Sequence, residues 1–271
     1  MTSILGLDIG GANTKFALIK HQNNHERIIA AGSDYFPFWK ELENYPKYLH
    51  ELKQKLKASG TQWEYVAFVT TAELADCFQT KKEGIATICK VVAEGFERTK
   101  EQERNEEPLI FTVKGEFVPI RKAEEQWLEV SATNWVAAAL FIGKKYPNSI
   151  LIDIGSTTTD LIPIYKGKIV AEGKTDLERL MYSELVYTGL LRTNVATILQ
   201  EVRLAGKTIP LASELFATTG DVYLLLGAIK PEEVSVETAD GKPASEENAK
   251  NRLARIICAD TNQLTSSEIK Q

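Results

Sequence analysis

A short motif, Asp-Ile-Gly, occurs twice in the chain, each time between an apolar run and a segment of small polar residues. The first copy lies in LGLDIGGANTK, residues 5–15, and the second in LIDIGSTTTD, residues 151–160. Asp8 and Asp153 are 145 residues apart (153 minus 8), whereas solenoid repeats recur about every 20–50 residues. The motif therefore predicts a duplicated domain and not an array of small repeats.

The strand pattern around each motif supports a duplication. SILGLDI, NTKFALIK and ERIIAA are typical of three short strands, and SILIDIG, TDLIPIYK and KIVAEG repeat them. NYPKYLHELKQKLKA has the periodicity of an amphipathic helix and precedes a buried strand, YVAFVTT. We expect an α/β fold with one domain over residues 1–146 and another over 147–271. The later part is less regular, and there NVATILQEV and KTIPLA favour short strands.

Composition excludes several classes of protein. The 271 residues carry a net charge of -5 with a pI near 5.5, so nucleic acid is not an expected partner. The apolar runs are too short to span a bilayer, and the N-terminus does not resemble a signal peptide. We expect no membrane association and a cytoplasmic location. The three cysteines are not in metal-ligand spacing and are expected to be free thiols.

The residues after each Asp-Ile-Gly suit phosphate. Loops of glycine and small hydroxyl residues leave backbone amides unshielded, and such amides bind anions. A carboxylate beside phosphate is repelled unless a cation intervenes, so Asp8 and Asp153 predict an Mg²⁺ site. The predicted phosphate-binding residues are Gly10, Gly11, Asn13, Thr14, Lys15, Gly155, Ser156, Thr157 and Thr158.

An alternative is that each motif is only a strand end and a turn, with no ligand. Two copies, each opening a three-strand segment, favour the ligand. GLDIGGANTK lacks the G-x-G-x-x-G fingerprint and leads into a strand, so a dinucleotide-binding Rossmann site is not predicted. A Walker-type phosphate loop is also missing from the sequence.

LGLDIGGANTK and LIDIGSTTTD resemble the two phosphate loops of the actin, sugar kinase and Hsp70 superfamily, and the resemblance spans nearly the whole chain. It implies two ribonuclease H-like domains around a central cleft that holds ATP and magnesium. DIGSTTTD is most similar to the hydantoinase and oxoprolinase branch. TTAELADCFQTKKEG and ELFATTGDVYLLLG resemble a smaller family of the tetrahydromethanopterin-linked one-carbon pathway, which includes the ether-forming enzyme of methanofuran biosynthesis.

Other polar residues are weaker candidates. Glu73 follows a buried strand and is expected either to act as a general base or to stabilise a helix N-terminus. Lys81 stands in a polar turn where solvation or a substrate phosphate contact is expected. Thr265 begins TSSE, which has the spacing of a capping box, and we expect a helix there that continues beyond residue 271. A third loop is predicted either to bind substrate or nucleotide or to cap a helix, through Thr219, Gly220 and Asp221.

Two reactions fit a Mg²⁺-dependent enzyme that binds a phosphate-containing small molecule. The smaller family implies a transferase that condenses an aminomethylfuran diphosphate with a tyramine-type phenol and releases pyrophosphate. The superfamily implies an ATP-dependent kinase as the alternative. A non-catalytic, nucleotide-binding regulatory protein is a third hypothesis, and a homodimer is left open. Asp8, Asp153 and Glu73 are the expected catalytic residues.

Overall fold

The structure is a computed structural model that describes residues 2–23, 25–58, 60, 62–96 and 107–271. The chain divides into two compact units. Unit 1 comprises Met1–Leu151 with Ile162–Tyr182, and unit 2 comprises Ile152–Leu161 with Ser183–Gln271. These units divide the chain at points other than residue 146, and the expected domain boundary stays a prediction.

Unit 1 contains a six-stranded sheet in the order β3-β2-β1-β4-β5-β6. Strand β1 pairs antiparallel with β2 and parallel with β4, β4 pairs parallel with β5, and β6 closes the sheet antiparallel to β5. The strands are β1 (Thr2–Ile9), β2 (Asn13–Gln22), β3 (His25–Tyr35), β4 (Tyr65–Thr70), β5 (Leu109–Phe111) and β6 (Phe117–Pro119).

The helices of this unit cover the sheet with their apolar faces. Leu49 and Leu52 of one helix and Ile85 and Ile88 of another are at most 3% exposed and share a core with β1 and β4. The helices are α1 (Phe38–Glu41), α2 (Tyr45–Ala58), α3 (Lys81–Gly95), α4 (Trp127–Val130) and α5 (Asn134–Lys145).

A second sheet begins after α5. It contains the strands β7 (Ser149–Ile154), β8 (Thr159–Tyr165) and β9 (Lys168–Ile169), followed by helix α6 (Asp176–Met181) and a short strand, β10 (Leu185–Val186). The order is β10-β8-β7, and β9 pairs with β8. Ile162 and Ile164 of β8 pack with Trp135 of α5.

Unit 2 has its own small core, formed by Val195, Ala217, Leu225, Leu253 and Ile256. Its β11 and β12 form an antiparallel hairpin. The remaining elements are α7 (Val195–Ile198), β11 (Glu201–Leu204), β12 (Lys207–Pro210), α8 (Thr219–Leu225), α9 (Glu246–Arg255) and α10 (Ser266–Lys270).

The predicted α/β class is confirmed, and both three-strand segments form at the expected places. The predicted capping box at Thr265 is also present. The strand expected over NVATILQEV, residues 194–202, is wrong except at its last two residues, where β11 begins at Glu201, because Asn194 accepts a hydrogen bond from the Ala196 amide at 3.0 Å and starts α7. In the ranges that the structure describes, the helices fall short of the length and apolar character needed to span a membrane.

Candidate functional site

The loop after β1, residues 10–13, lies at the carboxyl end of a parallel strand pair. The Gly10 amide donates to the Asn13 carbonyl at 2.9 Å and closes the loop. A Cβ atom built on Gly11 would have no neighbour within 4 Å. The backbone at Gly11 is therefore open to a ligand, as expected of an anion-binding loop.

Two of the predicted residues meet beside this loop. Asp8 and Lys15 are cross-strand partners on β1 and β2, and the Lys15 Nζ lies 3.2 Å from the Asp8 Oδ2. The Lys15 side chain is 66% exposed and that of Asp8 28%, so both are accessible. Thr14, in contrast, is buried and its hydroxyl lies 3.0 Å from the Tyr45 hydroxyl. Phosphate binding by Thr14 stays a prediction.

Glu73 lies beyond the end of β4, in the turn that precedes α3, and is 1% exposed. Helix α3 starts at Lys81, so Glu73 is not the first turn of a helix. Within the part of the chain that the structure describes, its Oε2 atom is buried and has no hydrogen-bond partner. Burial raises the pKa of Glu73 to about 7, because a charged carboxylate is poorly solvated there.

The backbone around Glu73 is closely packed. A Cβ on Gly84 of α3 would lie 2.3 Å from the Glu73 carbonyl oxygen, so only glycine fits at that position. The Ala132 amide hydrogen-bonds to Glu73 and opposes the effect of burial on its pKa. Ala132 has a φ of 49°, in the left-handed region that is unfavourable for a residue with a Cβ. The strained turn aims an amide at a buried acid, a combination common at functional sites.

An ion pair lies near the buried acid. The Lys81 Nζ lies 2.8 Å from the Asp176 Oδ2, with the two side chains 20% and 26% exposed. Lys81 lowers and Asp176 raises the pKa of Glu73. Lys81 was expected to be solvated in a turn. In the structure its ammonium is instead paired with Asp176 and largely buried.

The loop after β7, residues 155–158, repeats the closing hydrogen bond of the first loop. The Gly155 amide donates to the Thr158 carbonyl at 2.8 Å, and these residues correspond to Gly10 and Asn13 in the repeat. A Cβ would lie 3.2 Å from the Thr158 oxygen at Gly155 and 3.1 Å from the Asn13 oxygen at Gly10. The two loops thus share one local geometry. Asp153, on the strand before the second loop, is exposed.

Residues 188–193 donate hydrogen bonds to the second loop and pack closely against it. The Ser156 carbonyl accepts from the amides of Leu191 and Arg192 at 3.0 and 2.9 Å. A Cβ on Gly189 would lie 2.6 Å from the backbone of Thr157. Gly189 is therefore required by close approach, a role that the sequence alone did not indicate.

The predicted third loop is the start of α8. Its residues contact residues 188–193, the segment that packs against the second loop. Thr219 donates from its hydroxyl to the Gly189 carbonyl at 2.9 Å. Asp221 is 2% exposed, caps α8 by accepting from the Thr218 amide at 3.0 Å, and accepts from Arg252 at 2.6 Å. Asp221 therefore caps a helix, which was the predicted alternative to ligand binding. Ligand binding by Thr219, Gly220 and Asp221 stays a prediction.

In the described ranges, no group of three or more His, Cys, Asp or Glu side chains could hold a metal ion. Magnesium is commonly bound by one or two carboxylates together with substrate phosphates. Asp8 fits that mode, since its carboxylate is partly exposed beside a loop whose Gly11 backbone is open.

The sequence pattern of a known family matches most of the chain. The match to hydantoinase/oxoprolinase covers residues 64–270. The chain belongs to the hydantoinase/oxoprolinase family. This membership confirms the branch that DIGSTTTD indicated, and the matched range includes Glu73 and the second loop.

Two relatives share one name, (4-{4-[2-(gamma-L-glutamylamino)ethyl]phenoxymethyl}furan-2-yl)methanamine synthase. The protein from Methanocaldococcus jannaschii is 42% identical over 267 residues, which cover 98% of this chain and 74% of that protein. The protein from Methanococcus vannielii is 46% identical over 121 residues, which cover 45% of this chain and 54% of that protein. The resemblance to the methanofuran-pathway family is thereby confirmed.

Part of the chain also matches the solved structure of the ethanolamine utilization protein EutJ from Carboxydothermus hydrogenoformans. It is 17% identical, has a TM-score of 0.38, and the match covers 63% of this hydantoinase/oxoprolinase family member and 50% of EutJ.

Three residues that make close contacts in the structure were not predicted from the sequence. Asp176 lies 95 positions from its ion-pair partner Lys81, and no local pattern connects the two. Ala132 and Gly189 are defined by backbone conformation and close approach, which become visible only in the folded chain.

Proposed function

We propose that this protein is a transferase of methanofuran biosynthesis. It condenses an aminomethylfuran diphosphate with the phenol of glutamyltyramine, forms the ether and releases pyrophosphate. The observation that carries the proposal is the 42% identity over nearly the whole chain to a synthase whose name specifies a phenoxymethylfuran ether as its product. A diphosphate as the leaving group is our inference from the two anion-type loops.

In this proposal both loops bind phosphate oxygens. The open backbone of Gly11 and the exposed Lys15 ammonium support that role in the first loop. The second loop has the same closing hydrogen bond and lies beside Asp153. Asp8 and Asp153 would hold Mg²⁺ together with the diphosphate. When bound, the ion would stabilise the negative charge on the leaving group.

Glu73 is the proposed base for the phenol proton. The phenol oxygen forms a bond to the furanylmethyl carbon, the bond from that carbon to the diphosphate oxygen breaks, and its electron pair leaves with pyrophosphate. The phenol proton moves to the Glu73 carboxylate. A pKa of about 7 suits this role, since a base works best when its pKa is near the working pH.

The test is an assay that measures pyrophosphate, ADP and the ether product together. Pyrophosphate and ether should form in equal amounts, only when the diphosphate, a tyramine-type phenol and Mg²⁺ are all present, and without ATP. Asp153→Asn should leave the melting temperature unchanged, because the side chain is exposed, and should reduce turnover by 100-fold or more, the worth of a few kcal/mol at the metal.

The kinase alternative makes the opposite prediction. ADP formed in step with a phosphorylated acceptor, with no ether product, would replace the transferase proposal. The same proposal places the protein in the cytoplasm. Its partner would be a small-molecule substrate and not nucleic acid or a membrane. Fractionation of cells that express the protein would check its location.

A further inference from the structure

The ammonium group of Lys81 has hydrogen-bonding capacity that the folded chain does not use. In the part of the chain that the structure describes, it donates one hydrogen bond, to the Asp176 Oδ2 at 2.8 Å. An ammonium has three N–H donors, and the Lys81 side chain is 20% exposed. Two donors are therefore left for a ligand, and Asp176 fixes the nitrogen that carries them.

Glu73 has unused capacity in the same place. The residue is 1% exposed, and its Oε2 atom is buried without a hydrogen-bond partner among the described residues. The first turn of α3, which begins at Lys81, packs against it, since a Cβ on Gly84 would lie 2.3 Å from the Glu73 carbonyl oxygen. Lys81 also interacts electrostatically with the Glu73 carboxyl group. A fixed cation and a buried acid, each able to bind one more group, thus lie close together.

The first phosphate-type loop, residues 10–13, lies at the same edge of the sheet. Ile9 at the end of β1 pairs with Thr70 at the end of the parallel strand β4. The Ile9 carbonyl accepts from the Thr71 amide at 2.9 Å and from the Thr70 hydroxyl at 3.1 Å. The segment that leads from β4 to Glu73 is therefore joined to the strand that leads into the loop. The proposed diphosphate site and the proposed base belong to one edge of one sheet.

Resting on the proposed transferase reaction, we infer that Lys81 is a further catalytic residue, which stabilises the phenolate oxygen of the acceptor. Negative charge develops on the phenol oxygen as its proton moves to the Glu73 carboxylate. The Lys81 ammonium donates a hydrogen bond to that oxygen and keeps its own protons. The oxygen then bonds to the furanylmethyl carbon, and the bond from that carbon to the diphosphate breaks with its electron pair on pyrophosphate.

Two physical effects favour this role. Donors fixed in place before the reaction and aimed at developing charge lower the barrier most, and Asp176 is the positioning residue that holds the Lys81 nitrogen. Lys81 is also the first residue of α3, which has 15 residues, and the N-terminus of a helix favours negative charge.

The test is the substitution Lys81→Met, assayed with two acceptors. With glutamyltyramine it should reduce turnover by about 100-fold, the usual cost of one donor at a developing oxyanion. With a ring-fluorinated glutamyltyramine, whose phenol is more acidic and needs less stabilisation, the loss should shrink to about tenfold or less. Asp176→Ala should give a smaller loss that also shrinks with the fluorinated acceptor. Lys82→Met is the matched control, since Lys82 is the next residue of α3 and is exposed, and it should behave as the wild type.

A ring-nitrated glutamyltyramine gives a readout without turnover, because its phenolate absorbs visible light. At a fixed pH the bound phenolate fraction should be lower in Lys81→Met than in the wild type by about tenfold or more, since a neighbouring opposite charge shifts a pKa by about 1 unit or more. The thermal shift caused by pyrophosphate with Mg²⁺ should be the same in both proteins. That result would show that the variant is folded and that Lys81 does not contact the diphosphate.

The outcomes separate this inference from the proposed function. An equal loss with glutamyltyramine and with its fluorinated form would overturn the role of Lys81 and leave the transferase proposal standing. So would a lost pyrophosphate shift in Lys81→Met, which would assign the lysine to the phosphate instead. A wild-type protein that forms no ether with either acceptor would overturn both.

Discussion

Replacing Glu73 by glutamine should make the protein more stable at alkaline pH and inactive. The pKa of Glu73 is raised from 4.5 to about 7 by burial. Because the folded pKa lies above the unfolded one, the contribution of protonated Glu73 to stability is fully present below about pH 4.5 and is lost as the pH rises through 7. The glutamine side chain does not titrate, so this loss should vanish in Glu73→Gln.

The size of the effect follows from the two pKa values. Their difference corresponds to about 3 kcal/mol at about 1.4 kcal/mol for each pKa unit. The side-chain amide of the glutamine places an N–H donor without a partner in the buried site, which costs about 1 kcal/mol. We therefore expect Glu73→Gln to exceed the wild type by about 2 kcal/mol in free energy of unfolding at pH 8, and to fall about 1 kcal/mol below it at pH 4.5.

The assay is urea denaturation from pH 4.5 to pH 8.5, with turnover measured in parallel. The control is Glu125→Gln, which removes one exposed carboxylate and should keep the wild-type slope. Wild-type turnover should rise through pH 7 while stability falls, since both follow ionisation of one carboxyl group. An identical pH slope in Glu73→Gln and the wild type would refute the reasoning.

Three further substitutions separate ligand effects from packing. Gly11→Ala should change the free energy of unfolding by less than about 0.5 kcal/mol, because a Cβ meets nothing within 4 Å, yet it should abolish the thermal shift caused by pyrophosphate with Mg²⁺; an unchanged shift would show that phosphate does not approach there. Gly84→Ala should cost about 3 kcal/mol in chemical denaturation, since the Cβ would lie 2.3 Å from the Glu73 oxygen. Asp221→Asn should cost about 3 kcal/mol, because it removes the negative charge beside the Arg252 guanidinium, which is 0% exposed; a melting temperature within about 1–2 °C of the wild type would contradict that role.

The elements that sequence predicted well are those with a regular apolar period and local contacts. Strands β1 and β2 and helix α2 were predicted within two residues, because alternation and the 3.6-residue period are local properties. The repeated loops were also predicted, and their shared closing hydrogen bond confirms that the two motifs have one geometry.

Contacts between distant positions could not be predicted in this way. Glu73 was a candidate from its place after β4, but its burial depends on Gly84 and on the turn at Ala132. The pairing of Lys81 with Asp176 joins the first residues of α3 and α6, which are 95 positions apart in the chain. In NVATILQEV the β-branched residues favoured a strand, and the Asn194 cap favoured helix α7 over it.

The support behind the second loop has a consequence for the order of folding. The first loop is closed by Gly10 and Asn13, three positions apart, and its Ala12 and Gly11 carbonyls accept from the Phe36 and Phe38 amides, at most 27 positions along the chain (38 minus 11). The second loop has the same local closing bond, but its Gly155 carbonyl accepts from the Leu190 amide, 35 positions further along (190 minus 155). The capping residue Asp221 in turn accepts from Arg252, another 31 positions beyond Asp221. Contacts between distant positions form slowly. During refolding, the first loop should therefore acquire its final shape before the second, whose support is complete only after Arg252 has joined Asp221.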